Sequence, residues 1–283
     1  MLCIGICMSK CTIKKIIRGQ RAVDGAGVHL VRVLGSDDMK DFDPFLMLDS
    51  FDSVNPSDYT AGFPMHPHRG IETITYLIAG EIEHQDSLGN KGSIHSGETQ
   101  WMTAGSGILH QEMPQVSDRM LGIQLWLNLP QNEKMTEPAY FSITEEMIAK
   151  TKQEDAEIKV ISGTFGSTAG IVPKHIPATI YDIVLTPGKE LVIPVKDDET
   201  VFIFLIEGDA ILEGKRVPEK SAILYNTGDE IAVLAPEDSA SRVLFFSGKP
   251  LHEPIAWGGP IVMNTQEELQ LAFEELRKGT FIK

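Results

Sequence analysis

The sequence predicts an all-β protein: two copies of one antiparallel sandwich or barrel unit, followed by a single short helix. Three observations predict it. Up to residue 129 the chain shows short strand patterns bounded by turn signals and no amphipathic segment of helix length, which favours an antiparallel fold over a parallel α/β one. Leu121 to Leu129 alternates with a period of two, placing Leu121, Ile123, Leu125, Leu127 and Leu129 on one face. Finally, Tyr76-Leu-Ile-Ala-Gly80 resembles Phe204-Leu-Ile-Glu-Gly208 at an offset of 128, and Ser96-Gly97-Glu98 resembles Thr227-Gly228-Asp229 at an offset of 131. Matched segments in the same order suggest a duplicated unit.

The elements follow in order. Residues 1–11 read as a tail with free thiols at Cys3, Cys7 and Cys11, the only cysteines; no second ligand cluster accompanies them, so a thiolate metal site is not favoured. Residues 12–135 form the first expected domain. Thr12 to Ile17 and Val28 to Leu34 read as strands around the turn Asp24-Gly-Ala-Gly27, with His29 as a lone structural histidine. Phe45 to Leu48 reads as a short strand between Asp- and Pro-rich loops. Leu88-Gly89-Asn90 marks a hairpin turn, and Thr99 to Thr103 a strand after Ser96-Gly97-Glu98. Residues 136–283 form the second expected domain. It is entered through a connector with one short helix, for which Ser142 and Glu145 have capping-box spacing. A C-terminal helix over 265–278 is expected from the capping box Thr265/Glu268 and the apolar stripe Leu269, Phe273, Leu276.

Composition narrows the function classes. A chain of 283 residues with 42% hydrophobic and 23% charged residues can bury a large core. Its formal net charge of −15 repels phosphate backbones and anionic lipid, so neither direct nucleic-acid binding nor membrane binding is expected. The apolar start is too short for a secretory signal, and no stretch reaches membrane-span length. The expected setting is the reducing cytoplasm, or also the nucleus in a eukaryote.

The chemistry concentrates between residues 66 and 112. His66 and His68 stand two apart in a strand context, so their rings share a face; His110 and Glu112 repeat the spacing. Three imidazoles and one carboxylate, without sulfur, suit Fe(II), Mn, Ni, Cu or Zn. Counted from His68, Glu72 also falls on the histidine face, so either Glu72 or Glu112 could be the fourth ligand and the other a supporting group or base. Arg69 falls on the opposite face and reads as structural, while His84 and His95 read as surface histidines near turns. Phe63, Met65, Trp101 and Met113 flank the candidates and could line an apolar pocket or belong to the core. Carried across by the two repeat offsets, His66 and His68 fall on Pro194 and Lys196, Glu72 on Thr200, and His110 and Glu112 on Ser241 and Val243. None of these makes a ligand set, so metal binding is expected in the first unit alone.

Gly62 through Gly80, with its two histidines, glutamate and closing glycine, resembles the first motif of the cupin superfamily. His66-Pro-His68-Arg-Gly-Ile-Glu-Thr, Gln100-Trp-Met-Thr-Ala-Gly105-Ser-Gly-Ile-Leu-His110-Gln-Glu112-Met and Leu125-Trp-Leu-Asn-Leu resemble the pirin family more closely. So do Gly248-Lys-Pro-Leu-His-Glu-Pro and Gly259-Pro-Ile-Val-Met-Asn-Thr. The resemblance covers nearly the whole chain from about residue 12. It implies a bicupin, two cupin-type antiparallel β-barrels face to face with a C-terminal helix, and iron in the N-terminal barrel only. It implies His66, His68, His110 and Glu112 as ligands, selecting Glu112 where the general cupin pattern would select Glu72. The implied activity is an Fe(II)-dependent dioxygenase of the quercetin 2,3-dioxygenase type, acting on a flavonol-like enol and O2 with release of CO, with Glu112 also a candidate proton acceptor. The alternative it implies is a metal- or redox-sensing regulator that binds a transcription factor or a metabolic enzyme. A pocket open to the metal favours the enzyme; a blocked metal beside a large charged patch favours the regulator.

Overall fold

A computed structural model describes residues 9–153 and 155–283. Cys3 and Cys7 lie outside the described residues, and Cys11 is a buried free thiol. The architecture is the expected one, two antiparallel β-barrels and, among the described residues, one α-helix. No helix among the described residues is long and apolar enough to cross a membrane.

Two compact units form, and their boundary differs from a single cut after residue 135. The first joins Gly19–Ile148 to Lys174–Ile176 and Leu251–Lys283; the second joins the described residues through Arg18 to Ala149–Pro173 and Pro177–Pro250. The strand Ile13–Arg18 therefore completes the second unit by pairing with Ser221–Tyr225, while the C-terminal helix completes the first. Strand propensity and capping signals identify such terminal segments without saying which copy they pair with.

In the first unit a seven-stranded sheet runs in the spatial order Ala139–Ile143, Thr99–Thr103, Ile71–Ala79, Met120–Asn128, Phe45–Ser53, Val28–Leu34, Gln20–Asp24. A four-stranded sheet, Phe63–His68, Ile108–Pro114, Glu81–Asp86, Lys91–His95, closes the barrel. Val28, Leu30, Phe51, Tyr59, Leu77 and Met120 fill one end of it. The second unit repeats the plan. Its larger sheet runs Ile13–Arg18, Ser221–Tyr225, Thr200–Glu207, Ser241–Gly248, Thr179–Leu185, Ala156–Ser162, Ala149–Gln153. Its smaller sheet runs Glu190–Pro194, Glu230–Leu234, Ala210–Leu212, Lys215–Val217.

The duplication is thus real, but only one of the two matched segments reports it. Tyr76 and Phe204 do occupy equivalent central strands. Thr227-Gly228-Asp229 instead follows Ser221–Tyr225, the equivalent of Thr99–Thr103, whereas Ser96-Gly97-Glu98 precedes that strand. The first unit's hairpin Glu81–His95 is longer than its counterpart Ala210–Val217, so the offset shrinks along the chain. Consequently Ile108–Pro114 corresponds to Glu230–Leu234, not to the strand containing Ser241 and Val243. The buried positions of the two corresponding strands are Leu191, Ile193, Ile231 and Val233, all members of the second hydrophobic core. The inference that this copy lacks a ligand set stands on these hydrocarbon side chains.

In the connector, Ser142 lies within a strand opposite Gln100, and the helix is a single 3-10 turn, Glu145–Met147, whose N-cap is Thr144 without a side-chain capping bond. The expected Ser142/Glu145 box is absent because the edge strand claims Ser142. The Thr265/Glu268 box forms: Glu268 N donates to Thr265 Oγ1 at 3.1 Å and Thr265 N to Glu268 Oε2 at 3.0 Å. The helix Gln266–Lys278 buries Leu269 and Ala272 against Ile261, Met263 and Phe281, leaving Phe273 partly exposed.

Candidate metal centre

His66 and His68 project from one face of Phe63–His68, as residues two apart in a strand must. His110 is the direct cross-strand partner of His66. The nitrogens offered by these three rings lie within 4.8 Å of one another. His68 and His110 are 2% and 1% exposed, while His66 borders the opening. Burial pushes the imidazoliums of His68 and His110 well below the ordinary histidine range, and the neighbouring histidines push the same way. Both rings are therefore neutral at physiological pH, the form in which an imidazole can bind a metal.

The hydrogen bonds orient the free nitrogens inward. His66 Nδ1 lies 2.8 Å from the Pro64 carbonyl, and His68 Nδ1 lies 3.1 Å from the Pro260 carbonyl. A carbonyl can only accept, so each Nδ1 carries the proton and each Nε2 presents a lone pair. Those two Nε2 atoms face each other at 3.1 Å. Two lone pairs that close are unfavourable without a cation between them. His110 is buried with neither ring nitrogen hydrogen-bonded. These orphaned nitrogens and opposed lone pairs fit a transition-metal ion, and the donor set is that of an imidazole-rich site.

Glu112 is also buried in the barrel. Thr75 Oγ1 donates to its Oε1 at 3.2 Å, and Gln124 Nε2 donates to Oε1 at 3.1 Å and Oε2 at 2.8 Å. Trp126 Nε1 donates to Gln124 Oε1 at 3.3 Å, fixing the orientation of that amide. Glu72 points elsewhere. Thr75 faces the interior, so Glu72, three residues away along the strand, faces outward with its cross-strand neighbour Thr103, which donates to it at 2.8 Å. The alternation counted from His68 fails because Arg69-Gly70 separates two strands, with Gly70 at a φ of +77°. Glu72 is 1% exposed with Oε2 unpartnered, and burial raises its carboxyl above the usual range.

A cavity of about 840 Å³ opens onto His66 and His68, within the range of small-molecule pockets. Phe63, Met47, Trp126 and Trp257 supply its apolar walls. Trp126 also packs edge-on to His68 at 5.0 Å. At the rim, Arg32 binds Asp49 at 2.8 and 2.9 Å and Asp24 at 2.7 Å. Of the four flanking residues considered from sequence, only Phe63 lines this cavity. Met65 is half exposed, and Trp101, opposite Ile74 in register, shares the outward face of Glu72.

His95 is exposed, as expected, but His84 is not a surface residue. It sits across from Glu112 in register, is 8% exposed, and stacks on Tyr140 at 5.5 Å. Gly92, its cross-strand neighbour, makes the room, since a Cβ there would lie 2.7 Å from His84 Nε2. Sequence reasoning missed Gln124, Trp126, Pro260 and Trp257. The first two carried a signal, a glutamine and a tryptophan on the alternate face of the leucine strand. The last two carried none, because only the fold brings residue 260 to residue 68. Arg69 is structural as expected. It donates to the carbonyls of Ser106 at 2.7 Å and Phe281 at 2.9 Å, pairs with Glu275 at 2.6 Å, and stacks on the Phe281 ring.

The fold and site define a cupin protein with two barrels and a three-histidine group in one of them. The family model for pirin matches residues 27–127, and that for the pirin C-terminal cupin domain matches residues 180–282. The chain is 43% identical over 273 residues to a pirin-like protein of Caulobacter vibrioides, covering 95% of this chain and 98% of that one. It belongs to the pirin family. Among solved structures it is similar to a quercetin 2,3-dioxygenase from Acinetobacter baumannii, with 29% identity, a TM-score of 0.88, and 96% and 99% of the two chains covered. It shares its fold with a bacterial pirin from Escherichia coli solved in complex with nickel(II), at 23% identity and a TM-score of 0.64 over 83% of this chain and 98% of that one.

Proposed function

We propose that this protein is an Fe(II)-dependent dioxygenase of the quercetin 2,3-dioxygenase type, opening a flavonol-like enol with O2 and releasing CO. The observation that carries this reading is the pair of opposed Nε2 lone pairs of His66 and His68, with the unsatisfied His110 beside them, at the floor of an open cavity. His66, His68, His110 and Glu112 hold the metal in this reading. Bound Fe(II) supplies Lewis acidity and the one-electron chemistry that lets triplet dioxygen react with a closed-shell substrate. Manganese, nickel, copper and zinc suit the same donors.

The chain's own residues do the rest. Phe63, Met47 and Trp126 hold a flat aromatic substrate and exclude water. Glu112 Oε2 accepts one hydrogen bond and keeps one lone pair, which would serve the metal in the resting site and take the enol proton in its place once substrate is bound. Gln124 and Thr75 keep that carboxylate from rotating away. Access to the histidines supports the enzyme over the regulator, whose partner would need no cavity at the metal. The resemblance of the whole fold to a quercetin 2,3-dioxygenase supports the same reading. A cytoplasmic setting is part of the proposal, in keeping with the buried free thiol of Cys11.

The test is oxygen uptake with carbon monoxide detection, using anaerobically iron-loaded protein and quercetin, beside a folded His66→Ala variant. CO release that disappears in the variant supports the proposal. Stoichiometric iron without turnover overturns it, and partner capture in the ferrous and ferric states becomes the next comparison.

A further inference from the structure

We propose that Lys134 is a positioning residue for His68. It acts through a strap formed by the C-terminal hairpin, which it fastens against the turn that follows the histidine strand. The proposal rests on the metal reading above and concerns what holds one ligand in register.

The strap is the hairpin of Ala256–Gly258 and Ile261–Met263. Its turn delivers the Pro260 carbonyl to His68 Nδ1 across 192 positions of sequence. That carbonyl is the acceptor that keeps the His68 proton on Nδ1 and its lone pair on Nε2. The hairpin has little latitude. Val262 N donates to the Arg69 carbonyl at 3.1 Å, and a Cβ on Gly70 would sit 2.0 Å from the Val262 oxygen. Close approach of two backbones at Gly70 therefore sets the strap's depth.

Lys134 closes the arrangement. It is 2% exposed, and Nζ donates to the Gly70 carbonyl at 2.9 Å, the Val262 carbonyl at 3.0 Å and Asn128 Oδ1 at 2.7 Å. An ammonium has three N–H donors and here meets three oxygens. Two of those oxygens belong to the two backbones being joined, one following His68 and the other following Pro260. Burial pushes the group down to about 7 even though the carboxylates of Glu253 and Glu268 pull the other way. A desolvated cation on this scale is costly to keep unless its hydrogen bonds are needed. Lys134 does not line the cavity, and its hydrogen bonds go to Gly70, Asn128 and Val262 rather than to the histidines, so substrate binding does not account for it.

The experiment uses the full-length chain stripped of metal, as wild type, Lys134→Met and Pro260→Gly. The glycine variant keeps the carbonyl but loosens the backbone that carries it. Two quantities are read: the protonated nitrogen of His68, from side-chain 15N–1H spectra of the apo protein, and Ni(II) affinity, by chelator competition. Both variants should lose the single Nδ1–H tautomer of His68, and Lys134→Met should bind Ni(II) about 10- to 100-fold more weakly, the loss typical when the partner that orients a ligand is removed. Folded variants that keep the tautomer and the wild-type affinity, with only a lower Tm, would show Lys134 to be structural and overturn the proposal. If Lys134→Met does not fold, Pro260→Gly still tests the strap: a His68 tautomer and a Ni(II) affinity unchanged by it overturn the proposal. If the wild type binds no Ni(II), the metal reading falls while the tautomer comparison still decides the positioning role.

Discussion

Glu72 and Glu112 are both buried carboxylates four to two residues from a histidine, and their surroundings separate their roles. Glu112 is held by Gln124 and Thr75 in the barrel that contains the histidines, whereas Glu72 faces out of it with one oxygen unpartnered. Glu112→Gln should therefore lower metal affinity by at least about tenfold, and Glu72→Gln should leave it unchanged, as metal content after dialysis against a competing chelator will report. Equal losses in both variants would count against the assignment of Glu112. Glu72→Gln has a separate signature in stability. The folded-state pKa of Glu72 is raised by burial, so the folded protein binds this proton more readily than the unfolded chain. Its contribution is fully present below the unfolded carboxylate value and is lost as pH rises through the higher folded value. Wild-type stability relative to the glutamine variant should thus improve as pH falls towards the ordinary glutamate range, measured by denaturant titration at stepped pH. At this scale the sequence disclosed the types and spacing of the candidate ligands. It could not disclose that Arg69-Gly70 breaks the strand, and that break is why Glu72 was counted on the wrong face.

The C-terminal helix was legible from its capping box, and its docking partner was not. Its signals are local: Thr265, Glu268, and Gly279 in the left-handed conformation after the last turn. Docking depends on Arg69, whose guanidinium reaches the Phe281 carbonyl and Glu275 from 212 and 206 positions away. Arg69 adjoins His68, so the helix is tied to the strand that carries two histidines. Two substitutions should separate capping from docking. Thr265→Ala should cost about 1 kcal/mol, the usual loss of a capping side chain. Arg69→Leu should cost on the order of 3 kcal/mol, because it leaves the buried Ser106 and Phe281 carbonyls unserved and leaves Glu275 with Lys283 as its remaining cation. Hydrogen exchange over Gln266–Lys278 should show fraying confined to the first turn in Thr265→Ala and exposure of the whole helix in Arg69→Leu. Uniform protection in Arg69→Leu would mean that the apolar contacts of Leu269 and Ala272 suffice for docking.

For the whole molecule, two barrels of one strand order carry opposite interiors. One holds histidines, a glutamate and a glutamine. The other holds Leu191, Ile193, Ile231 and Val233 at the buried positions of the corresponding strands. The duplication was legible in a single repeated strand and turn, while the register of the rest was hidden by unequal hairpins, a length difference that a constant offset cannot absorb. A polar interior costs stability when its nitrogens have no partner, and a hydrocarbon one does not. Metal should therefore act on one barrel only. At a free Ni(II) concentration a hundredfold above Kd, binding adds about 2.7 kcal/mol to the state that binds it. Native-state hydrogen exchange should register that gain at slow amides of the strands Phe63–His68 and Ile108–Pro114, and leave Glu190–Pro194 and Glu230–Leu234 unchanged if the units open independently. Equal gains in both strand pairs would mean that the two units unfold as one cooperative body, so that a ligand held by one stabilises all of it.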